Sequence, residues 1–296
     1  ASAVSASRHP LDFYRSDISF VGTMYNEVHN LFDRMEHLSD YTKGYLQGIM
    51  QAQMKVYGYY FIEELLSKEI IEDMQHSLPL QPRSDSVKST EWLFAHYVIA
   101  RKIANLERTA LLKAVSEHFN TKLYTPNPTP ELPQIYNMGS VDYQRQMPYV
   151  FKNSAINLNI SLRSIRSGIP LRCFDIMGCG GFLLSNYQGD CYEHFIPGED
   201  LVLFDSQEDF LNKCDYYLKH DNERLQITAN GYGKVKEFHT YEVRLKEIFE
   251  VVLFTFYLSP YNMLSILQHS HSEAAELHYK YPHNSNPTIS FAPVFE

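Results

Sequence analysis

Apolar and polar positions along this chain change period several times, and each change marks an element. The run DISFVGTM at 17–24 is β-rich, follows a polar, turn-prone segment at Ser16 and Asp17, and closes on a glycine. It reads as the first strand of an α/β unit. Gly22, at the carboxyl end of that strand, lets backbone approach a ligand closely, and strand carboxyl ends are where open α/β sheets bind. Between 26 and 76 the apolar positions fall at helical spacing: Leu31, Met35, Leu38, Tyr45, Leu46, Ile49, Met54, Phe61, Leu65, Ile70 and Met74. That spacing predicts two or three helices whose Tyr and Met stripe is core. Pro79, Pro82 and several serines make 77–89 a loop, and a further helix is expected over about 90 to 118.

From residue 121 the pattern alternates strictly. TKLYT reads as strand, QIYNMGSVDY as short strand and turn, QRQMPYVFKN as helix and AINLNIS as strand. A helix at 170–178, strand GFLLSN, short helix CYEHF and strand DLVLFD follow, then helices over about 207–219, 221–238 and 240–250. Ser206, Asp221 and Thr240 stand where N-caps belong. Strands alternating with helices predict an α/β fold, a parallel sheet covered on both faces, with a helical insertion after the first strand.

The chain has 296 residues, 44% hydrophobic and 21% charged, with a formal net charge of -9. It is long enough for one large domain or two small ones. The acidic balance argues against nucleic acid bound through its phosphates, while local basic loops suit a small phosphorylated ligand. Cys173, Cys179, Cys191 and Cys214 form no CxxC pair, so buried free thiols are expected and a reduced compartment with them. The opening residues lack a signal-peptide pattern, and the longest apolar run, 251–267, is broken by Ser259, Pro260 and Asn262. The expected location is cytoplasmic, with peripheral work at the inner membrane face compatible with it.

Chemistry concentrates in RSIRSGIPLRCFDIMGCGGFLLSN, residues 163–186. Gly168 and Pro170 allow a tight turn into a helix start, where unpaired N–H groups and the helix dipole attract anions. Arg163, Arg166 and Arg172 lie around that entrance, and guanidiniums can each grip two oxygens of a diphosphate. Asp175, one turn in, is either a salt-bridge partner of those arginines or an acceptor for ribose hydroxyls. The histidines show no paired metal-ligand spacing, no Asp-x-Asp motif is present, and the absence of Gly-x-Ser-x-Gly disfavours hydrolase chemistry. No metal is expected.

Taken together, DISFVGTMY at 17–25, the stretch from NMGSVDY at 137 to LLSNYQ at 188, FIPGEDLVLF at 195–204 and HTYEVRL at 239–245 carry a family resemblance. The chain resembles the C-terminal, nucleotide-sugar-binding half of GT-B glycosyltransferases, and within them the spore-maturation CgeB-like group. Asp175-Ile-Met-Gly-Cys-Gly180 is similar in spacing to the latter part of the acidic pattern of the wider glycosyltransferase family 4, with Asp where that family has Glu and Ser167 where it has another acid. The resemblance implies a Rossmann-like donor-binding domain over 17–250. It implies that Asp175 binds the donor ribose, that Gly22 faces the diphosphate, and that the turn of Gly139, Val141, Asp142 and Tyr143 holds the nucleobase. Tyr143 can stack on a base or simply belong to the core.

Arg166 and Arg172, with Arg163, would by the same resemblance stabilise the departing nucleoside diphosphate, a task arginines and a helix start can perform without a metal. His194 and Glu199 lie in a segment similar to the turn beside the donor sugar; His194 and His239 are otherwise surface residues. The implied activity is sugar transfer, of hexosyltransferase type, from a nucleoside-diphosphate sugar to a cell-surface polysaccharide, glycolipid or protein. Residues 1–16 then read as the end of an interdomain segment, and the acceptor-binding half as a partner in cis or in trans. The 251–296 tail falls outside the resemblance and reads equally as a docking element, an altered frame or disorder. The rival class is a non-catalytic nucleotide-sugar-binding or interaction module that lacks the acceptor domain.

Overall fold

The computed structural model describes residues 10–27 and 29–258. Six strands form one sheet: β1 (Ser16–Val21), β2 (Thr121–Tyr124), β3 (Tyr136–Asn137), β4 (Ser154–Asn159), β5 (Leu183–Asn186) and β6 (Val202–Phe204). Their order is β3-β2-β1-β4-β5-β6 and every pairing is parallel. This is a Rossmann-like doubly wound sheet, in which successive connections run one way from β1 and the other way from β4. The crevice between the carboxyl ends of β1 and β4 is therefore the topological switch point.

Apart from the edge strand β3, whose two residues are exposed, the strands are buried on both faces, as a parallel sheet requires. Ile18, Phe20, Ile156, Leu158, Leu184, Val202 and Phe204 share one core with Leu111, Leu112 and Val115 of α4 (Ala100–Ser116) and Phe210, Cys214 and Tyr217 of α8 (Gln207–Lys219). On the opposite face, Val21, Tyr124, Leu183 and Leu203 pack with α5 (Met147–Asn153), α6 (Leu171–Gly178), α7 (Cys191–His194) and α9 (Asp221–Phe238). That face also carries a polar seam, in which Ser19 Oγ donates to Asn157 Oδ1 at 2.8 Å and Asn159 Nδ2 donates to Ser185 Oγ at 2.9 Å. At Gly231 α9 closes on its neighbours so tightly that a Cβ would lie 2.3 Å from the Asp200 carbonyl oxygen.

The insertion between β1 and β2 has its own core. It comprises α1 (Asp40–Lys55), a 3-10 turn (Glu63–Leu65), α2 (Lys68–Ser77) and a long helix. That helix begins as α3 (Thr90–Trp92), widens into a π-helical stretch (Leu93–Ile99) and continues as α4. Leu46, Ile49, Met74, Phe94, Val98, Ile99 and Ile103 are buried together there. So α4 serves two cores: Ile103 belongs to the insertion, Leu111 onward to the sheet.

Helix starts follow the expected capping chemistry at Ser206, whose Oγ accepts from Asp209 N at 3.0 Å, and at Thr240, whose Oγ1 accepts from Val243 N at 3.3 Å. Asp221 differs: His220 holds the cap position without a side-chain bond, and Asp221 pairs with Arg224 in the first turn at 2.8 Å. The chain divides into two compact units, Ala1–His239 and Thr240–Glu296. Within the described part of the second, α10 runs Tyr241–Leu258, past residue 250, where its end was expected. The first nine residues and the tail from 259 lie outside the described residues. Among the described residues no helix is long and apolar enough to cross a membrane, and all four cysteines are free, three of them buried.

Candidate functional site

The switch-point crevice is built around a charged pair that the sequence hides inside an apolar helix stripe. Glu107 and Arg108 fall on α4 between Ala104 and Leu111, where the helix passes from one core to the other. Arg108 turns toward the strand ends. Its Nη1 donates to the Thr23 carbonyl just after β1 at 2.6 Å, and its Nε to the Ile160 carbonyl just after β4 at 3.1 Å. It thus bridges the two strands that flank the switch point. Burial lowers the pKa of this guanidinium; Tyr25 and Glu107 oppose the shift, and the positive charge of Arg172 adds to it. The Arg108 guanidinium is thereby spent on two backbone carbonyls at the mouth of the crevice.

Arg172 reaches the mouth from the first turn of α6. Its side chain lies over the Phe151 ring at 5.5 Å, donates to Met147 Sδ, and has Asp175 Oδ2 at 3.6 Å. Burial lowers its pKa, with Asp175 pulling the other way. Asp175 Oδ1 accepts from Tyr143 Oη at 2.6 Å. The structure thus brings together Arg172, Asp175 and Tyr143, whose ring is 55% exposed. Of the two sequence readings of Asp175, the structure shows the ion-pair partner of Arg172, with its side chain 21% exposed. No side chain caps the start of α6 at Pro170, and the Cys173 N–H of the first turn donates to the Pro170 carbonyl at 2.9 Å.

The three arginines do not form one cluster. Arg163 points into the seam between the insertion and the sheet. Its Nε donates to Glu107 Oε2 at 3.0 Å and its Nη2 to Oε1 at 2.6 Å, with the Tyr57 ring 3.2 Å from its guanidinium carbon. Arg166 is exposed and lies 4.0 Å from Glu64 of the insertion. The physical reason is that counter-charges supplied by the insertion, distant in sequence, draw these two side chains away from Arg172. Burial raises the Glu107 pKa while Arg163 opposes it.

The remaining sequence-predicted positions are mostly committed to local structure. Asp142 Oδ1 accepts from the backbone N–H of Gln144 and Arg145, at 3.1 and 2.6 Å, so it caps its own turn. Gly168 has a positive φ of 88°, and its N–H donates to Asp190 Oδ2, so that amide is not open to an anion. The Gly139 N–H donates to Asn137 Oδ1, and Val141 packs half-buried against the core beside α5 and α6. Gly22 lies one residue past β1, its N–H bonded to the Tyr124 carbonyl. His194 is exposed, its ring edge-on to His239 at 5.5 Å. Glu199 is exposed, with its carbonyl held by Asn230 of α9.

Sequence reasoning missed Glu107, Arg108 and Tyr57. The available signal was the adjacent acid and base on the buried stripe of the 100–116 helix, because charged residues are seldom fully buried unless paired.

Among solved structures the chain is similar to HepE of Anabaena in complex with UDP and glucose, at 12% identity and TM-score 0.40, over 48% of this chain and 43% of that one. It is similar to the C-terminal domain of the glycosyl transferase group 1 family protein LpcC of Francisella tularensis, at 16% identity and TM-score 0.36, over 45% and 79%. It is also similar to the pneumococcal O-GlcNAc transferase GtfA in complex with UDP and GlcNAc, at 16% and 0.35, over 49% and 32%. The chain spans less than half the length of the HepE chain it matches. No curated protein matches it. The profile of a family described as glycosyl transferase-like matches residues 102–250, just over half of the chain and all of the sheet beyond β1, and the chain belongs to that glycosyl transferase-like family.

Proposed function

We propose that this chain is the donor-binding part of a GT-B glycosyltransferase of CgeB-like type, which moves a hexose from a nucleoside-diphosphate sugar to a polysaccharide, glycolipid or protein acceptor. The observation that carries the reading is the Arg172–Asp175–Tyr143 group, held at the start of the helix that follows β4 on a doubly wound sheet. A doubly wound sheet binds its ligand at this crevice. The Arg172 guanidinium suits a diphosphate, a carboxylate one helical turn from it suits ribose hydroxyls, and an exposed tyrosine suits a base. In the transfer, the anomeric carbon–oxygen bond to the diphosphate breaks, the electron pair leaves on the phosphate oxygen, and the acceptor hydroxyl oxygen forms the new bond as it gives up its proton. Charge grows on the departing diphosphate, where Arg172 stabilises it. Arginines in this role make donor binding independent of a divalent cation, so affinity is expected to survive EDTA.

Calorimetric titration with UDP, GDP, dTDP and their sugars tests the reading. Saturable binding of at least one nucleotide is expected, with affinity falling tenfold or more in Asp175→Ala. No binding across the panel, or unchanged affinity in both Asp175→Ala and Arg172→Ala, overturns it.

A further inference from the structure

The loop after β1 holds one residue in a backbone conformation that its side chain disfavours. Tyr25 has a φ of 54°, and among the described residues it is the one non-glycine with a positive φ. Such a conformation is strained for a residue with a Cβ, and it persists only where the surroundings over-determine it. Here asparagines do so: Asn30 Nδ2 donates to the Tyr25 carbonyl, the Met24 N–H donates to Asn127 Oδ1 at 2.9 Å, and Asn105 Nδ2 donates to the Met24 carbonyl at 2.8 Å. Tyr25 is half-buried and belongs to none of the three hydrophobic cores, so core packing does not account for the strain. Strained positions of this kind cluster at ligand clamps.

Tyr25 stands at the switch point. Arg108, which bridges the carbonyls after β1 and β4, has its guanidinium carbon 4.8 Å from the Tyr25 ring centre. Seven residues earlier on α4, about 10 Å farther along the helix, Arg101 lies 6.0 Å from the Tyr25 ring and 4.0 Å from the Tyr97 ring. The Arg101 N–H groups have no acceptor among the described residues. This wall belongs to α4, which covers one face of the sheet, whereas Asp175 and Tyr143 belong to α6 and the turn before α5 on the other. On the donor-binding reading the nucleoside takes the Asp175–Tyr143 side and the diphosphate takes Arg172. The hexose, bonded to the far phosphate, then extends toward the α4 wall. We infer that Tyr25 and Arg101 hold the hexose of the donor, the ring meeting its C–H groups and the guanidinium donating to its hydroxyls. The inference rests on the donor-binding reading and deepens it with the contacts made to the sugar.

The test is calorimetric titration of the wild-type chain, Tyr25→Asn and Arg101→Gln. The ligands are UDP, GDP and dTDP and their glucose, galactose, mannose and N-acetylglucosamine conjugates. Asparagine tolerates the left-handed backbone, so Tyr25→Asn removes the ring and leaves the loop conformation accessible. For the nucleotide that binds, this variant is expected to lose about fivefold in affinity for the sugar conjugate, the range of one such contact, and less than about twofold for the bare diphosphate. The same selective loss is expected in Arg101→Gln, a change at a half-buried position that keeps the inference falsifiable if Tyr25→Asn does not fold. Equal losses for conjugate and bare diphosphate, or no loss for the conjugate in either variant, overturn the inference. Nucleotide binding without a selective loss removes this inference and leaves the donor reading standing. No nucleotide bound by the wild-type chain removes both.

Discussion

Glu107→Gln tests whether the insertion and the sheet are held together by one buried ion pair. The Arg163 and Glu107 side chains are 4% and 3% exposed and meet through two hydrogen bonds, at 3.0 and 2.6 Å. The amide keeps one acceptor but loses the charge and turns an N–H₂ group toward a donor. Breaking a buried pair from one side costs about 3–5 kcal/mol, because the other charge stays behind uncompensated. Against a total stability of roughly 5–15 kcal/mol, that is a large fraction. With a urea slope near the upper end of the usual range, about 3 kcal/mol/M, the midpoint falls by about 1–2 M. Far-UV circular dichroism follows the whole chain, and the fluorescence of the single tryptophan, Trp92, follows the insertion. The double variant Glu107→Gln, Arg163→Met removes both charges and is expected to recover most of the loss, since apolar replacement of a buried pair is often neutral. A midpoint shift below about 0.3 M in the single variant, or a double variant less stable than the single one, refutes the reasoning.

Three further expectations follow from the same geometry. Arg172→Gln removes a charged donor worth about 1.5–3 kcal/mol, so nucleoside-diphosphate affinity should fall roughly 10- to 150-fold by calorimetry while nucleoside monophosphate affinity falls less; an equal loss for both sinks the diphosphate assignment. Burial pushes the Cys191 thiol up to about 11 and those of Cys173 and Cys214 higher still, so at pH 8 a thiol reagent followed by peptide mapping should label half-buried Cys179 first, and first labelling at Cys214 contradicts the core packing. Hydrogen bonds from Thr42 and Ser39 hold the Asp73 carboxyl below its usual value of 3.8. Its folded value is depressed, so its contribution is present above about pH 4 and lost as pH falls through the lowered value. Thermal melts from pH 3 to 6 should show a small acid loss that Asp73→Asn abolishes, and identical profiles refute the link.

The strands other than the exposed two-residue β3 were legible because apolar residues recur in short runs bounded by turn residues, and a parallel sheet needs little more than that from its sequence. The insertion was legible as helices, yet residues 29–39 form turns, since apolar spacing alone does not distinguish a helix from a string of turns that bury the same side chains. The arginines were misread for a different reason. Arg163, Arg166 and Arg172 are neighbours in sequence, but a loop turns successive side chains in different directions, and each followed the nearest counter-charge: Glu107, Glu64 and Asp175. Two of those acids belong to segments 56 or more residues away, so no local pattern could reveal them. Asp175 and Tyr143, by contrast, were found through motif phrases whose spacing encodes the strand–turn–helix geometry that brings them within 2.6 Å.

The placement of Glu107 and Arg108 side by side on α4 ties the specificity of this site to a part of the chain that lies outside the family match. One helical residue faces the insertion through Arg163 and Tyr57, and the next faces the strand ends through Thr23 and Ile160. A rotation of α4 large enough to repack the insertion would therefore move Arg108 relative to the mouth, because the two side chains share one backbone segment. The family match begins at residue 102, and the helical core before it meets the rest of the fold through α4, through Met54 and Tyr57 at Arg163, and through Glu64 at Arg166. Sequence change in the insertion can then shift Arg163 and Arg166 while the Arg172–Asp175–Tyr143 group stays as it is, because those three are held by α6 and the turn before α5. On the proposed donor-binding reading, that separation is the reason to expect a change in the insertion to leave nucleotide affinity as it is.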